Sequence, residues 1–334
     1  MTFLRRPLHR SIFLGVLLVG PVLAQAITPA PPPAAPTEAV QFANGDVALA
    51  GSLLLPPGDG PFSGAILIHG SGTSARSNPW TSAYADALVR RGVAVLHPDK
   101  RGSGDSGGNW RTASFLDLAD DAVAAVQWLR AHPRVDAANV GVIGFSQGGH
   151  IVPAAAARSP HVAFAVNVSG SVVPIDEQIR DEVVMMGERA GLTSSELVEV
   201  EAVLAAAENY ARTGVGWSAY AEALSRARSG RMRGMEVVEG FASTPDDPAW
   251  EFLRVIGGFD PMEYWTQLEQ PSLFLYGGQD TQLRIPKSIE RIGDVLGPLN
   301  ANTTVMLFNK NGHALYRDDA LDFIATWIEV RGAH

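Results

Sequence analysis

Short, continuous apolar runs alternate with longer amphipathic segments along most of this 334-residue chain, and that rhythm constrains the fold more than any other feature. Residues 65–68, 93–96, 140–144, 162–168, 272–276 and 303–308 are runs dominated by Val, Ile, Leu, Ala and Phe. Segments at 82–91, 115–131, 147–157, 285–295 and 318–330 carry apolar residues at helical intervals, as Leu116, Leu118, Ala122, Val126 and Leu129 do in the second of them. A strand that is apolar at every position must be covered on both faces, and helices connecting parallel strands supply that cover. The pattern predicts an α/β domain with a mainly parallel central sheet flanked by helices. A hairpin is expected ahead of it, with strands at 40–43 and 47–55 around the turn Asn44-Gly45-Asp46.

After Ser171 the rhythm breaks for nearly a hundred residues. Thr193-Ser194-Ser195-Glu196 has capping-box spacing, and the helix it opens carries Leu197, Val200, Val203 and Leu204. Further helical stretches are expected near 217–227 and 248–255, with no strand in the region. The sheet domain is thus read in two parts, 38–171 and 269–334, split by a helical cap at 172–268. Met185, Met186, Tyr210, Trp217, Tyr220 and Met235 lie in the cap, as its core or as a pocket lining. An insertion at this point in the strand order sits over the strand ends, where it would cover a site and exclude water.

Residues 1–26 read as a secretory signal peptide. Arg5, Arg6 and Arg10 make a basic start, residues 12–23 are almost entirely apolar, and Ala24-Gln25-Ala26 offers small residues for cleavage. The apolar run falls short of the roughly 20 residues that span a bilayer, so no membrane span is expected after cleavage. The Arg5-Arg6 pair hints at twin-arginine export, but Pro7-Leu8-His9 continues it poorly and general secretion is preferred. An exported protein, periplasmic or extracellular, is expected. Residues 27–37 form a Pro/Ala-rich linker that favours an extended conformation. Cleavage removes three arginines and no acid, leaving 23 basic against 35 acidic residues and a charge of −12. Such a balance offers no footprint for a phosphate backbone, so nucleic acid is not an expected partner. With no cysteine, the chain has no disulfides, no thiolate metal site and no thiol nucleophile. Any covalent nucleophile must attack through oxygen or nitrogen.

Gly144-Phe145-Ser146-Gln147-Gly148 follows a buried strand and opens a helix, the context in which Gly-x-Ser-x-Gly forms a tight turn with its serine hydroxyl projecting from the sheet. A serine needs a base. Of the eight histidines, His9 is in the signal peptide, His334 is the last residue, His132 and His161 lie in connecting segments, His69 and His97 sit at strand ends, and His150 is one turn into the helix. His313 is left, in a loop directly after the last strand. The base needs an acid to fix its tautomer, and Asp280 closes Tyr276-Gly277-Gly278-Gln279-Asp280 just after the preceding strand. Asp260 is a weaker rival for that role. Ser146, Asp280 and His313 therefore each fall at the C-terminal end of a separate strand, where open parallel sheets place their sites. An oxyanion hole requires two preset donors. The Gln147 amide supplies one, and the second comes from His69-Gly70-Ser71-Gly72, with the Ser71 amide favoured over that of Gly72. His69 is then read as structural.

In these motifs, together with the loop Asp99-Lys100-Arg101-Gly102-Ser103-Gly104-Asp105-Ser106, the chain resembles the α/β-hydrolase superfamily across its mature length, and within it secreted bacterial dienelactone-hydrolase-like and prolyl-oligopeptidase-like esterases. The resemblance implies the α/β-hydrolase fold, with the helical cap inserted before the acid-bearing strand, and a structural role for Asp99 and Arg101 in tying strands together. The dienelactone hydrolases proper use cysteine, so their particular activity does not carry over. Ser146 likewise excludes the aspartate-based dehalogenase reaction. The expected function is a serine hydrolase cleaving small-molecule carboxylic esters through an acyl-enzyme, with no metal or organic cofactor. A peptidase or amidase using the same residues is the alternative, for which Glu201, Glu208 and Glu222 could bind an α-ammonium; a non-catalytic binding protein on the same fold is the remote one.

Overall fold

The computed structural model describes residues 37–332, so the expected signal peptide and all of the linker but Thr37 lie outside the described residues. Eight strands form one sheet in the order β1-β2-β4-β3-β5-β6-β7-β8. β1 (Thr37–Asn44) and β2 (Val47–Leu54) make the expected hairpin, closing on Gly45 at φ +55°. β2 also pairs antiparallel with β4 (Ala94–Pro98), whereas β3 (Phe62–Ile68), β5 (Val135–Phe145), β6 (Ala165–Val168), β7 (Ser272–Gly277) and β8 (Thr303–Phe308) complete a parallel run with β4. β6 is shorter than the expected 162–168. Val162 turns back to the Ser159 carbonyl; Ala163 N–H donates to Val140 O at 2.8 Å and Phe164 O accepts from the Val142 amide at 3.1 Å, and the strand itself begins at Ala165.

Successive strand residues serve opposite faces, and both faces are buried except at the edge strand β8, where Val305 and Leu307 are exposed. Ile66, Leu96, Val142 and Phe274 pack under α2 (Phe115–Arg130) and α3 (Gly148–Arg158), while Leu67, Val95, Ile143 and Leu275 pack with α1 (Pro79–Arg90) and α11 (Asp318–Gly332). Burial on two sides explains why these runs carry no alternation of polar and apolar residues. The fold is the α/β-hydrolase fold.

Six helices lie between β6 and β7: α4 (Ile175–Arg189), α5 (Ser194–Thr213), α6 (Trp217–Ala227), α7 (Glu236–Glu239), α8 (Ala249–Ile256) and α9 (Met262–Trp265). The capping box at α5 is formed, Thr193 Oγ1 accepting from the Glu196 amide while Glu196 Oε2 accepts from the Thr193 amide at 2.7 Å. α4 has no counterpart among the sequence expectations. After β7 the expected single helix is α10 (Ile285–Arg291) followed by a wider π turn at Ile292–Leu296. No helix among the described residues is long and apolar enough to cross a membrane.

Candidate active site

Ser146 sits between β5 and α3 with φ +52°, a left-handed conformation that a non-glycine residue adopts only when its surroundings force it. The surroundings are tight. A Cβ on Gly144 would land on the Gly148 carbonyl oxygen, and one on Gly148 would land on the Ile68 carbonyl oxygen. The Ser146 amide donates to Val168 O at 2.9 Å and its carbonyl accepts from the Gly149 amide at 2.8 Å, pinning the turn from both sides. The side chain itself keeps partial solvent access.

The loops after β7 and β8 are joined by backbone. Gly278 N–H donates to Phe308 O at 3.0 Å and Gln279 N–H to Asn311 O at 2.8 Å. This brings Asp280 and His313 together: Nδ1 of His313 lies 2.7 Å from Oδ2 of Asp280, whose carboxylate is fully buried. Oδ1 of Asp280 accepts from the amides of Gln282 at 2.7 Å and Leu283 at 3.1 Å. Nε2 of His313 is buried and makes no hydrogen bond among the described residues, to Ser146 Oγ or to any other group. Trp80 links the two halves of the site, its ring centroid 5.4 Å from Phe145 and 5.3 Å from His313.

Among the described residues His313 is the histidine that meets a carboxylate within ion-pair distance. His69, His97 and His150 are buried instead, and loss of hydration holds their pKa values down at about 4, about 3 and about 4. The expected structural part for His69 fits its contacts: Nε2–H donates to Pro98 O at 2.7 Å and Nδ1 accepts from Ser74 Oγ at 2.9 Å, fastening the loop after β3 to the end of β4. That loop runs beside the elbow, since a Cβ on Gly70 would stand 3.5 Å from Ser146 Cβ. The amides of Gln147, Ser71 and Gly72 donate to no acceptor among the described residues, so the structure leaves both Ser71 and Gly72 available beside Gln147. Asp99 binds the amides of Arg76 and Asp105 and lies 3.5 Å from the Arg76 guanidinium, while Arg101 pairs with Asp121 of α2. Asp260 is engaged with Arg291 at 2.5 Å, not with His313.

Two groups escaped the sequence reading. Lys100 is buried, its ammonium donating at 3.0 Å to Gly70 O and at 3.0 Å to Gln147 Oε1, and burial pushes its pKa down to about 7. Glu182 of α4 is buried beside the acid loop; burial first, and the Asp280 charge second, push its pKa up to about 8. α4 is tied to that loop by Arg189, which donates to Thr281 O, and to α10 by Lys287, which pairs with Glu177 at 2.6 Å and Asp181 at 2.7 Å. Of the candidate pocket residues of the insertion, Tyr210, Trp217 and Tyr220 cluster edge-on around Trp250, with Tyr220 Oη donating to Ala242 O at 2.6 Å. Glu208 and Glu222 are paired with Arg180 and Arg226.

A family model described as X-Pro dipeptidyl-peptidase (S15 family) matches residues 44–287. Acyl-coenzyme A thioesterase 1 of Mus musculus is 30% identical over 135 residues, 40% of this chain and 30% of that protein. Esterase EstD of Thermotoga maritima is 29% identical over 139 residues, 40% of this chain and 33% of its own length. The chain thus spans about a third of the length of these curated relatives. Among solved structures, the Pyrococcus furiosus esterase Pf2001 superposes with a TM-score of 0.60 at 17% identity, covering 88% of this chain and 91% of that one. The α/β hydrolase GrgF from Penicillium does so with a TM-score of 0.60 at 17% identity, covering 90% and 100%. At these identities the likeness is one of fold.

Proposed function

The chain belongs to the X-Pro dipeptidyl-peptidase (S15) family, and we propose that it is a serine hydrolase that cleaves carboxylic esters of small molecules through an acyl-enzyme. The observations that carry the reading are a serine held in a left-handed elbow after one strand and, after the last strand, an imidazole whose Nδ1 is fixed by a buried carboxylate. Asp280 holds the Nδ1–H tautomer, so Nε2 of His313 presents a lone pair. As Ser146 Oγ attacks the acyl carbon, Nε2 takes its proton and Asp280 stabilises the imidazolium. The amides of Gln147 and Ser71 receive the oxyanion. His313 then protonates the leaving alkoxide as the C–O bond breaks, and water repeats the sequence to release the acid. Proximity of the Oγ and Nε2 atoms is completed in the substrate complex, as apo hydrogen bonds at such sites are often open.

The likeness to an esterase and a thioesterase supports acyl transfer to water. The helices between β6 and β7 act in this reading as a cap that shapes the pocket, supported by the contacts of α4 with the acid loop and with α10. Export and cleavage after Ala26 complete the proposal, supported by the basic start and apolar run of residues 1–26. A second reading, peptide cleavage of the X-Pro dipeptidyl type, is favoured by the family match. It requires an acid free to bind an α-ammonium, and two of the three cap glutamates singled out are already paired with arginines.

The test is Ser146→Ala measured on a panel of p-nitrophenyl acyl esters and Gly-Pro-p-nitroanilide. Wild type should turn over the esters, and the variant should lose that turnover and its labelling by a fluorophosphonate probe. Ester turnover near wild type in Ser146→Ala would overturn the proposal. Preference of the wild type for the anilide would install the second reading, and failure of wild-type Ser146 to label would install a binding protein.

A further inference from the structure

We propose that Lys100 is a positioning residue for the oxyanion hole, gripping the Gly70 carbonyl so that the Ser71 N–H is aimed at the developing oxyanion and anchoring that peptide to the side chain of Gln147, the residue that supplies the other N–H. The inference rests on the acyl-transfer reading above.

The peptide bond between Gly70 and Ser71 is trans, since Gly60-Pro61 is the cis bond among the described residues. In a trans peptide the C=O and the next residue's N–H lie in one plane and point in opposite directions. A donor that holds Gly70 O at 3.0 Å therefore also sets where the Ser71 N–H points, and a positive charge on that oxygen polarises the N–H. The same ammonium holds Gln147 Oε1 at 3.0 Å, on the residue whose amide is the other donor. One side chain thus couples the Gly70-Ser71 peptide unit to the side chain of Gln147, two groups that follow different strands.

Sheet order explains why a lysine is needed. The strands carrying these groups are adjacent in the order β4-β3-β5. Lys100 follows β4, Gly70 follows β3 and Gln147 follows β5, so a group rooted at β4 must reach past the end of β3 to touch Gln147. A four-carbon stem with a three-donor head does so; a short side chain does not. The surroundings leave the charge uncancelled. No carboxylate lies within ion-pair distance of Nζ among the described residues, and its other neighbour is the Trp110 ring, 5.1 Å from Nζ to centroid. Trp110 in turn donates from Nε1 to Thr73 Oγ1 at 3.2 Å, bracing the same loop. Burial lowers the Lys100 pKa to about 7, so its head donates to both oxygens as amine or ammonium, and below that pH its charge also acts on a developing oxyanion in a low dielectric.

The experiment compares Lys100→Met and Lys100→Gln with wild type in the full chain. kcat and KM are measured on a p-nitrophenyl ester, with inhibition constants for phenylboronic acid, which forms a tetrahedral anion on the serine, and for the planar carboxylate product. Removal of an oxyanion donor costs about 100- to 1000-fold, so a misaimed one should cost about 10- to 100-fold. Lys100→Met should lower kcat/KM by that factor and weaken phenylboronic acid equally, while KM and product affinity stay within about threefold. Lys100→Gln, which keeps a donor but no charge, should fall between. A folded Lys100→Met with kcat/KM within threefold of wild type would overturn the proposal, as would an equal weakening of boronate, product and substrate, the mark of a merely disordered loop. If Lys100→Met does not fold, Lys100→Gln is held to the same criteria. Should Ser146→Ala keep wild-type turnover, it is the acyl-transfer reading that has failed; with Ser146→Ala inactive, an unaffected Lys100→Met refutes the lysine alone.

Discussion

Asp280→Asn isolates the tautomer argument. In the wild type, Oδ1 accepts two amides, from Gln282 at 2.7 Å and Leu283 at 3.1 Å, and Oδ2 accepts from His313 Nδ1 at 2.7 Å. An asparagine can place its oxygen on only one side. Facing His313, it would turn its NH2 onto two backbone donors, giving up two hydrogen bonds worth about 1 kcal/mol each and leaving both N–H groups unsatisfied. That penalty of at least about 2 kcal/mol favours the other orientation by about 30 to 1, at 1.36 kcal/mol per decade. The NH2 then faces Nδ1 and drives the proton to Nε2, where the imidazole can no longer accept from Ser146. The tautomer alone removes about 30-fold, and loss of the buried negative charge that stabilises the imidazolium removes about two decades more. The expected fall in kcat is about 10³- to 10⁴-fold, near the loss seen for the equivalent change in a serine protease triad. The backbone contacts of Oδ1 survive, so the melting temperature should stay close to wild type. Steady-state hydrolysis of p-nitrophenyl acetate at pH 7.5, alongside a circular-dichroism melt, measures both. A folded variant losing less than about 30-fold would refute the claim that Asp280 selects the tautomer.

Three further outcomes are expected. Gly144→Ala places its Cβ on the Gly148 carbonyl and Val152, so the elbow cannot close; about 3 kcal/mol or more of stability should vanish in urea denaturation together with turnover, and a wild-type unfolding midpoint would contradict the packing argument. Glu182 has its folded pKa raised to about 8 from 4.5, so the folded state keeps a proton that the unfolded state releases, and stability falls as pH rises from about 4.5 to 8. Glu182→Gln removes that penalty: its urea midpoint should exceed wild type at pH 8 and match it near pH 4.5, and an equal difference at both values would show that packing, not ionisation, sets the effect. Mass spectrometry of the exported protein should find a chain beginning at Ile27; an intact amino terminus at Met1 in that fraction would refute cleavage after Ala26.

The parts of this fold legible in the sequence are those where a residue answers mainly to its neighbours in the chain. Continuous apolar runs announced the strands because both faces of the sheet are covered, and Thr193 with Glu196 announced α5 because a capping box closes within four residues. Ser146, Asp280 and His313 could be nominated for a related reason: each follows its own strand, a parallel sheet gathers such ends at one edge, and Asp280 and His313 do meet there. α4 was missed because its inward stripe of Ile175, Ile179, Val183 and Gly187 is interrupted by the buried Glu182, and most of its other residues are charged or polar. Pro174, the acids at 176 and 177 and Arg189 in the last turn were the available signals, marking its ends without its face. Lys100 was hidden more deeply. In sequence it belongs to a charged, glycine-rich loop whose neighbours Asp99 and Arg101 form ion pairs with Arg76 and Asp121, and the residue type suits a solvated surface equally well. What distinguishes it is that its ammonium meets acceptors 30 and 47 residues away, on two other strand ends. That juxtaposition depends on the crossover order β4-β3-β5, which no local pattern encodes. Candidate groups that each follow one strand can be found strand by strand, whereas a group that couples strands becomes visible only once their order is known.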